Sequence, residues 1–337
     1  MMVSSPSRVL IIRFSSIGDI VLSSPVVRSL KAKWPACEVH FLTKKAFEPL
    51  VTHNPYIDVC HFHEEEAGIP WESLKAQAFD AILDLHANVR SWQVKTRLRA
   101  PSSTVDKRNW DKYRMVRFGT SLELPHIVHR YGETLHLVDA SLDDKGLDCF
   151  IPPEVAKDAD SLFANHFDGK VPQPVLAVVL GATYFTKRWP VEHFLASLQE
   201  LAVPVLLLGG KDALEEGQYL EKSLPQPVWN AVGKYPLLLS AALMRKCQAV
   251  LTHDTGLMHI AAAFNQPIFS LWGNTVPAFG MTPYRSPHHL LEVEDLSCRP
   301  CSKIGFDRCP RGHFKCMQDL APAEVTAALR THLFSKN

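Results

Sequence analysis

The sequence of 337 residues lacks a hydrophobic run long enough to span a bilayer. No stretch approaches the ~18 apolar residues that mark a transmembrane helix. No secretory leader is expected either, because Met1 to Ser7 is short and polar and Val9-Leu10-Ile11-Ile12 is of strand length. These absences lead to the expectation of a cytoplasmic protein. Charge of one sign is lacking too: Lys and Arg number 36 against 35 Asp and Glu, for a formal net charge of +1. No global field therefore draws the chain to nucleic acid, and none is expected as a partner. There is no low-complexity segment. No Gly-x-Gly-x-x-Gly fingerprint follows the first strand, which argues against a dinucleotide. Cysteine is not scarce, but Cys37, Cys60, Cys149 and Cys247 sit in or beside apolar runs and read as reduced, buried thiols.

What is present is enough apolar residue, 46%, for two cores. Strand-like runs at Arg8 to Phe14, Glu38 to Leu42, Asp58 to Phe62 and Ala81 to Leu85 form a first series, with a helix expected over Pro25 to Lys33 and Ser24 as its N-cap. A second series has strands at Val175 to Leu180, Val203 to Leu208, Ala249 to Thr252 and Pro267 to Leu271. Helices are expected between them over Val191 to Leu201, Ala213 to Ser223, Leu237 to Lys246 and Thr255 to Phe264. Strands alternating with helices mean parallel, doubly wound sheets. The expected fold class is α/β, with two Rossmann-like doubly wound domains facing across a cleft. Residues 1–160 form the first domain and 170–320 the second, joined where Ile151-Pro152-Pro153 and Val171-Pro172-Gln173-Pro174 punctuate the chain. Residues 321–337 form a C-terminal amphipathic helix whose pattern suits either domain, packing back on the N-terminal one being one of the two options.

Ligands of open α/β sheets bind beyond the carboxyl ends of the strands, so the loops there carry the candidate chemistry. After the first strand comes Ser15-Ser16-Ile17-Gly18-Asp19. Ser16 offers a hydroxyl and Gly18 permits close backbone approach. Asp19 either takes a proton from an attacking sugar hydroxyl or caps a helical turn at Ile20 to Ser23. Thr183, Thr186, Lys187 and Arg188 precede Trp189-Pro190 in the loop after Leu180. They suit a diphosphate leaving group or form a solvated basic loop. Thr252 to His259 reads as a strand end, a tight turn and the start of a helix whose N-terminal N–H groups can hold phosphate. Glu215 and Glu216, after Gly209-Gly210, either hold a ribose hydroxyl pair or are surface helix acids.

A basic stretch holds Arg90, Lys95, Arg97, Arg99, Lys107, Arg108, Lys112, Arg114 and Arg117, interleaved with Trp92, Trp110, Tyr113 and Phe118. It suits an anionic acceptor or an anionic membrane surface, or is a solvated helical face. Cys298-x2-Cys301-x7-Cys309-x6-Cys316 supplies four candidate ligands for a structural zinc, with redox-paired or reduced thiols as alternatives.

Together these motifs resemble glycosyltransferase family 9, the ADP-heptose:lipopolysaccharide heptosyltransferases, from about Arg8 to Leu333. The resemblance rests on Ser15-Ser16-Ile17-Gly18-Asp19 with Pro25, Asn54-Pro55-Tyr56-Ile57-Asp58, Lys187-Arg188-Trp189-Pro190 and Asp254-Thr255-Gly256-Leu257-Met258-His259. It implies a GT-B fold with an N-terminal acceptor domain and a C-terminal domain for the nucleotide-sugar donor. It also implies inverting transfer of a heptose or related sugar from an ADP-sugar to a lipopolysaccharide core or lipid A-type acceptor, with no cofactor required. By that likeness Asp19 is the general base, and Lys187 with Thr183 contacts the diphosphate. Asp254, Thr255, Gly256, Leu257 and His259 hold donor phosphate and sugar, and Ser16, Gly18, Glu215 and Glu216 complete the expected donor contacts. Arg90, Arg97, Lys107, Arg108 and Arg114 are the expected acceptor contacts, with peripheral attachment to the cytoplasmic face of the inner membrane. The alternatives are a sugar-nucleotide epimerase or hydrolase on the same architecture, and a non-catalytic nucleotide-sugar-binding protein.

Overall fold

A computed structural model describes residues 2–167 and 173–334. Val171 and Pro172 of the expected linker, and the expected second-domain start at residue 170, lie outside the described residues, as does the end of the C-terminal segment at 335–337.

Two compact units emerge. The first comprises Met1–Asn109 and Pro125–Phe150, and the second comprises Trp110–Leu124 and Ile151–Asn337. The expected boundary at residue 160 is therefore corrected in two ways: the chain changes unit after Phe150, and Trp110–Leu124 belongs with the second unit. Its inclusion has a plain cause. Met115 and Leu124 form an apolar cluster with Phe279, and the Leu124 N–H donates to the Ala278 carbonyl at 2.9 Å.

The first unit holds a five-stranded sheet in the order β3-β2-β1-β4-β5. Its strands are β1 Arg8–Ile12, β2 Glu38–Lys44, β3 Val59–His63, β4 Ala81–Asp84 and β5 Ser102–Thr104. All pair in parallel, with Val9 opposite both Val39 and Ala81. Central β1 is a continuous apolar run because helices cover both faces of such a sheet, and Val9 to Ile12 are fully buried.

The second unit holds a six-stranded parallel sheet in the order β11-β10-β9-β6-β7-β8. Its strands are β6 Leu176–Val179, β7 Val205–Leu208, β8 Val228–Asn230, β9 Ala249–His253, β10 Ile268–Trp272 and β11 His288–Glu292. The helix Val191–Leu201 starts directly after Pro190, whose ring fixes φ at the helix boundary. Of the two options open to it, the C-terminal helix Pro322–Phe334 takes the second unit rather than the N-terminal domain, packing on Val191–Leu201. The Thr326 hydroxyl donates to Ser197 Oγ at 2.9 Å, and Val325 and Leu329 enter the second unit's core.

Both strand orders reverse direction once, between β1 and β4 in the first unit and between β6 and β9 in the second. Such reversal opens a crevice at the carboxyl ends of the two central strands, because the flanking connections leave in opposite directions. The four loops that follow β1, β4, β6 and β9 are those in which the sequence concentrates its unusual side chains.

Candidate functional site

At the first unit's switch point, the chain leaves β1 and forms the short helix Ile17–Leu22 with Ser16 as N-cap. Asp19 stands three residues on, and its carboxylate accepts the Ser16 N–H at 3.1 Å and the Ser16 hydroxyl at 3.0 Å. The cap of the helix is Ser16, and Asp19 is the acid of a capping box inside Ile17–Leu22 rather than the cap of a turn at Ile20 to Ser23; that place does not exclude the proton-accepting reading. Arg13 Nη2 lies 2.7 Å from Asp19 Oδ2, and the Tyr131 hydroxyl donates to Asp19 Oδ1 at 3.1 Å. Arg13 is itself pinned, Nε donating to the Ser15 carbonyl at 2.7 Å and Nη1 to the Leu85 carbonyl at 2.5 Å. Burial alone would raise the Asp19 pKa, but the Arg13 guanidinium and the Ser16 bonds bring it down to about 2. Burial, and then proximity to Asp19, pushes the Tyr131 phenol up, so Tyr131 remains a neutral donor.

The loop after β4 completes this region. Buried Asp84 accepts the backbone N–H groups of His86 and Ala87 and the Ser91 hydroxyl, and pairs with Lys95 at 2.9 Å. His86 meets the edge of Phe14 at 5.4 Å, and burial followed by the charges of Arg13 and Lys107 lowers its pKa to about 4. Lys107 feels the same surroundings: burial and then Arg13 lower its pKa, while Asp19 opposes them. Arg90 lies over the Phe14 ring at 5.4 Å.

Of the expected acceptor cations, Arg90 and Lys107 are therefore brought to the Asp19 loop. Arg97 instead covers Trp71 at 4.2 Å and Arg108 pairs with Asp106 at 3.2 Å. Arg114 lies on the helix Asn109–Phe118, which belongs largely to the second unit. Ser16 and Gly18, expected to contact the donor, stand in the first unit, where Ser16 is committed to Asp19 and Gly18 is buried in its helix. Tyr131 and Asp84 were not singled out from sequence. Tyr131 reaches Asp19 across 112 residues, which leaves no local signal, whereas Asp84 ends an apolar strand and that position marked it.

At the second unit's switch point, β9 ends in His253 and the helix Gly256–Ala263 begins after Thr255, its N-cap. No side chain caps the first N–H groups of this helix, which carry partial positive charge. Lys187, from the loop after β6, donates to Asp254 Oδ2 at 2.6 Å and to the Asp254 carbonyl at 3.2 Å. That accounts for two of its three donors. The Thr275 hydroxyl also donates to Asp254 Oδ2 at 3.1 Å. Burial would raise the Asp254 pKa, but Lys187 holds it below the usual carboxylate range. His259 is buried in the helix Gly256–Ala263.

His253 was not singled out, yet it fixes this geometry. It hydrogen-bonds the Gly181 carbonyl through Nδ1 at 3.1 Å and accepts the Trp189 N–H at Nε2 at 2.9 Å. It thereby clamps both ends of the Lys187 loop to β9. Gly181 has φ +74, and a Cβ there would stand 2.9 Å from Asp212 Oδ2, so the turn requires glycine. Thr183 is exposed and Thr186 is buried, its hydroxyl donating to Asn274 Oδ1 at 3.0 Å. Arg188 is engaged by Asp212 at 2.7 Å and by Glu216 at 3.4 Å. Glu216 therefore acts as a helix acid that holds the loop, and Glu215 is exposed beside it.

The four C-terminal cysteines are free thiols, and among the described residues no group of three or more His, Cys, Asp or Glu side chains is disposed to hold a metal. The four thiols lie near enough for Cys298 and Cys309 to act on both Cys301 and Cys316. Burial, with Cys298 and Cys309 nearby, raises the Cys301 pKa, and Cys316 is pushed up to about 12 by burial first. The segment has another role: Phe306 exchanges backbone and side-chain hydrogen bonds with Thr186, and Phe314 packs on Phe185 at 4.8 Å. The cysteine-rich loop buttresses the Lys187 loop.

A family model described as glycosyltransferase family 9 (heptosyltransferase) matches residues 70–307. The chain is similar to lipooligosaccharide heptosyltransferase 2 of Haemophilus influenzae, at 27% identity over 93% of this chain and 96% of that protein. It is similar to lipopolysaccharide heptosyltransferase 2 of Salmonella typhimurium, at 25% identity over 97% and 98%. Its fold is shared by a family 9 glycosyltransferase of Veillonella parvula, with a TM-score of 0.78 at 22% identity over 98% of each chain. The Escherichia coli ADP-heptose heptosyltransferase II shares it with a TM-score of 0.72 at 21% identity, over 97% and 98%.

Proposed function

The chain belongs to glycosyltransferase family 9, and from that premise we propose that it moves a heptose or related sugar from an ADP-sugar to a lipopolysaccharide core or lipid A-type hydroxyl. Transfer inverts the anomeric carbon and needs no metal. The observation that carries this reading is that the two switch points bear complementary chemistry. One has a partly exposed carboxylate, the other an ammonium beside a helix N-terminus.

The acceptor hydroxyl donates to Asp19 and its oxygen attacks the anomeric carbon as the bond to the ADP oxygen breaks. A carboxylate with pKa about 2 is a weak base toward a free alcohol. In an oxocarbenium-like transition state, the attacking oxygen becomes strongly acidic as its bond to carbon forms, so the proton passes to Asp19 late. Charge grows on the departing diphosphate, where Lys187 has its third donor and the helix beginning after Thr255 has its N–H groups. Asp254, anchored by Lys187 and Thr275, is left to accept sugar hydroxyls. Arg90 and Lys107 supply positive charge for an anionic acceptor near Asp19. No helix among the described residues is long and apolar enough to cross a membrane, and this reading places the protein peripherally on the inner-membrane surface, where its acceptor lies.

Incubation with ADP-heptose, with and without a core-truncated lipopolysaccharide acceptor, tests the reading by mass spectrometry of the lipid and by ADP release. Product appearing only with acceptor supports it. Consumption of donor alone would indicate an epimerase or hydrolase. Donor binding with no product under any acceptor would indicate a binding protein.

A further inference from the structure

We propose that the helix Asn109–Phe118 docks the protein on an anionic lipid surface through the face that carries Trp110, Tyr113, Arg114, Arg117 and Phe118. A surface helix ordinarily turns its apolar stripe to the core and its polar face to water. This one has two apolar sides. Met115 is buried against Phe279 and Leu124, and Val116 is partly buried beside it, which secures the helix to the second unit. Lys112 lies over the Phe279 ring at 5.6 Å on the same underside. The exposed positions 110, 113, 114, 117 and 118 follow the i, i+3, i+4, i+7, i+8 spacing of a single face.

On that face the aromatic residues point outward. Trp110 is 68% exposed, Tyr113 44% and Phe118 67%. They form a continuous strip, with Trp110 stacked on Tyr113 at 5.5 Å and Tyr113 edge-on to Phe118 at 6.1 Å. Core packing does not explain this strip, because Met115 already serves that purpose. Arg114 and Arg117 flank it, and the helix's one acid, Asp111, is partly buried at the edge of the strip, where two arginines outweigh it.

Charge complementarity selects the occupant. Aromatic rings with one wet edge, interleaved with arginines, match the headgroup layer of an anionic bilayer, where rings enter the interface and guanidinium groups pair with phosphates. An aliphatic protein partner would not call for two arginines inside the strip. The inference deepens the proposed function, because a lipid-anchored acceptor is met only at a bilayer.

Flotation of the full chain with vesicles tests it. Phosphatidylglycerol-rich vesicles are expected to carry the protein and pure phosphatidylcholine vesicles to leave it behind, with binding weakening as salt rises. Replacing Trp110, Tyr113 and Phe118 together by Ser should reduce partitioning about ten-fold or more, and Arg117→Gln about five-fold, the value of one juxtamembrane cation. All three aromatic side chains are exposed, so the melting temperature and ADP affinity of the triple variant should be those of the parent. Its kcat/KM should fall on vesicle-embedded acceptor and stay within about two-fold on delipidated acceptor sugar.

The inference is overturned if the triple variant floats like the parent, or if the parent binds only vesicles that contain lipopolysaccharide acceptor. It is also overturned if light scattering shows a dimer that the triple variant abolishes, since a second copy would then cover the face. Failure of sugar transfer with flotation intact would remove the proposed function and leave this inference standing.

Discussion

Replacing Asp19 by Asn separates the chemistry at the first switch point from the fold around it. Asn keeps the shape and one oxygen, which can accept from Ser16 or from the Tyr131 hydroxyl but not from both, and removes the charge and the proton acceptor. Loss of a general base costs roughly 10²–10⁴-fold in kcat. The stability cost follows from the pKa. Folding lowers Asp19 from 3.8 to about 2, and its side chain is 20% exposed, so the fold owes the charge about 2 kcal/mol at neutral pH after allowance for solvent. In a unit of this size that is roughly 4–8 °C of melting temperature. The sign is testable as well. Because the folded pKa is depressed, the contribution is complete above the unfolded value and disappears as pH falls from about 4 toward 2. The gap between parent and variant should therefore close in acid. ADP affinity should not change, because Lys187 and the helix after Thr255 do not depend on Asp19. Steady-state ADP release, ADP titration calorimetry and thermal melts measure the three quantities. A variant that keeps its kcat within about ten-fold would refute the base assignment. Parallel loss of ADP affinity would show that Asp19 supports the whole fold rather than the chemistry.

Lys187→Ala should weaken ADP binding and reduce kcat together, by about 10²-fold or more in kcat/KM, since it removes a cation from the leaving group and leaves Asp254 beside the diphosphate; unchanged ADP affinity would contradict the diphosphate site. EDTA should leave transfer rates unaltered at constant melting temperature, and loss of activity without loss of stability would mean that a metal takes part. His253 has its pKa lowered to about 4 by burial, against 6.5 for the ordinary side chain, so its neutral form stabilises the fold. That contribution is complete above about pH 6.5 and is lost as pH falls toward 4, about 3 kcal/mol in all. His253→Gln should flatten this part of the stability profile, measured by urea denaturation at stepped pH; an unchanged slope would show that other groups carry it.

The strands that were legible in the sequence are those buried on both faces. Val9 to Ile12 and Val175 to Leu180 announce themselves as apolar runs, and their observed strands, Arg8–Ile12 and Leu176–Val179, fall within a residue or two of the expected limits. The three strands that were not read, Ser102–Thr104, Val228–Asn230 and His288–Glu292, all sit at or near sheet edges. They are short or rich in polar residues, and an edge strand needs neither a long apolar run nor a strict alternation. The placement of Trp110–Leu124 was also beyond local reasoning, since it depends on Met115 and Leu124 meeting Phe279 more than 150 residues on. The same holds for the C-terminal helix, whose amphipathic pattern fits any apolar surface until Thr326 finds Ser197. At the candidate site, Asp19, Lys187 and Asp254 stand out in the sequence as charged residues in the segments that follow apolar strands. The side chains that orient them, Tyr131, Asp84 and His253, resemble ordinary core residues in sequence and are distinguished only by what they touch.

Each switch point holds a cation–carboxylate pair, and the two pairs are set in opposite senses. In the first unit the carboxylate is the outer member: Asp19 is 20% exposed and Arg13 only 8%. In the second the cation is outer, with Lys187 at 16% and Asp254 at 11%. The choice of cation follows from that inversion. Arginine has a rigid fork that carbonyl oxygens of Ser15 and Leu85 can hold from behind, so it polarises Asp19 without leaving its place. Lysine is a mobile point charge with a donor to spare, which is what a phosphate group arriving and departing requires. In the proposed function, the outer carboxylate would meet the hydroxyl that becomes acidic and the outer cation the group that gains negative charge, so each pair's polarity follows from the half-reaction assigned to it.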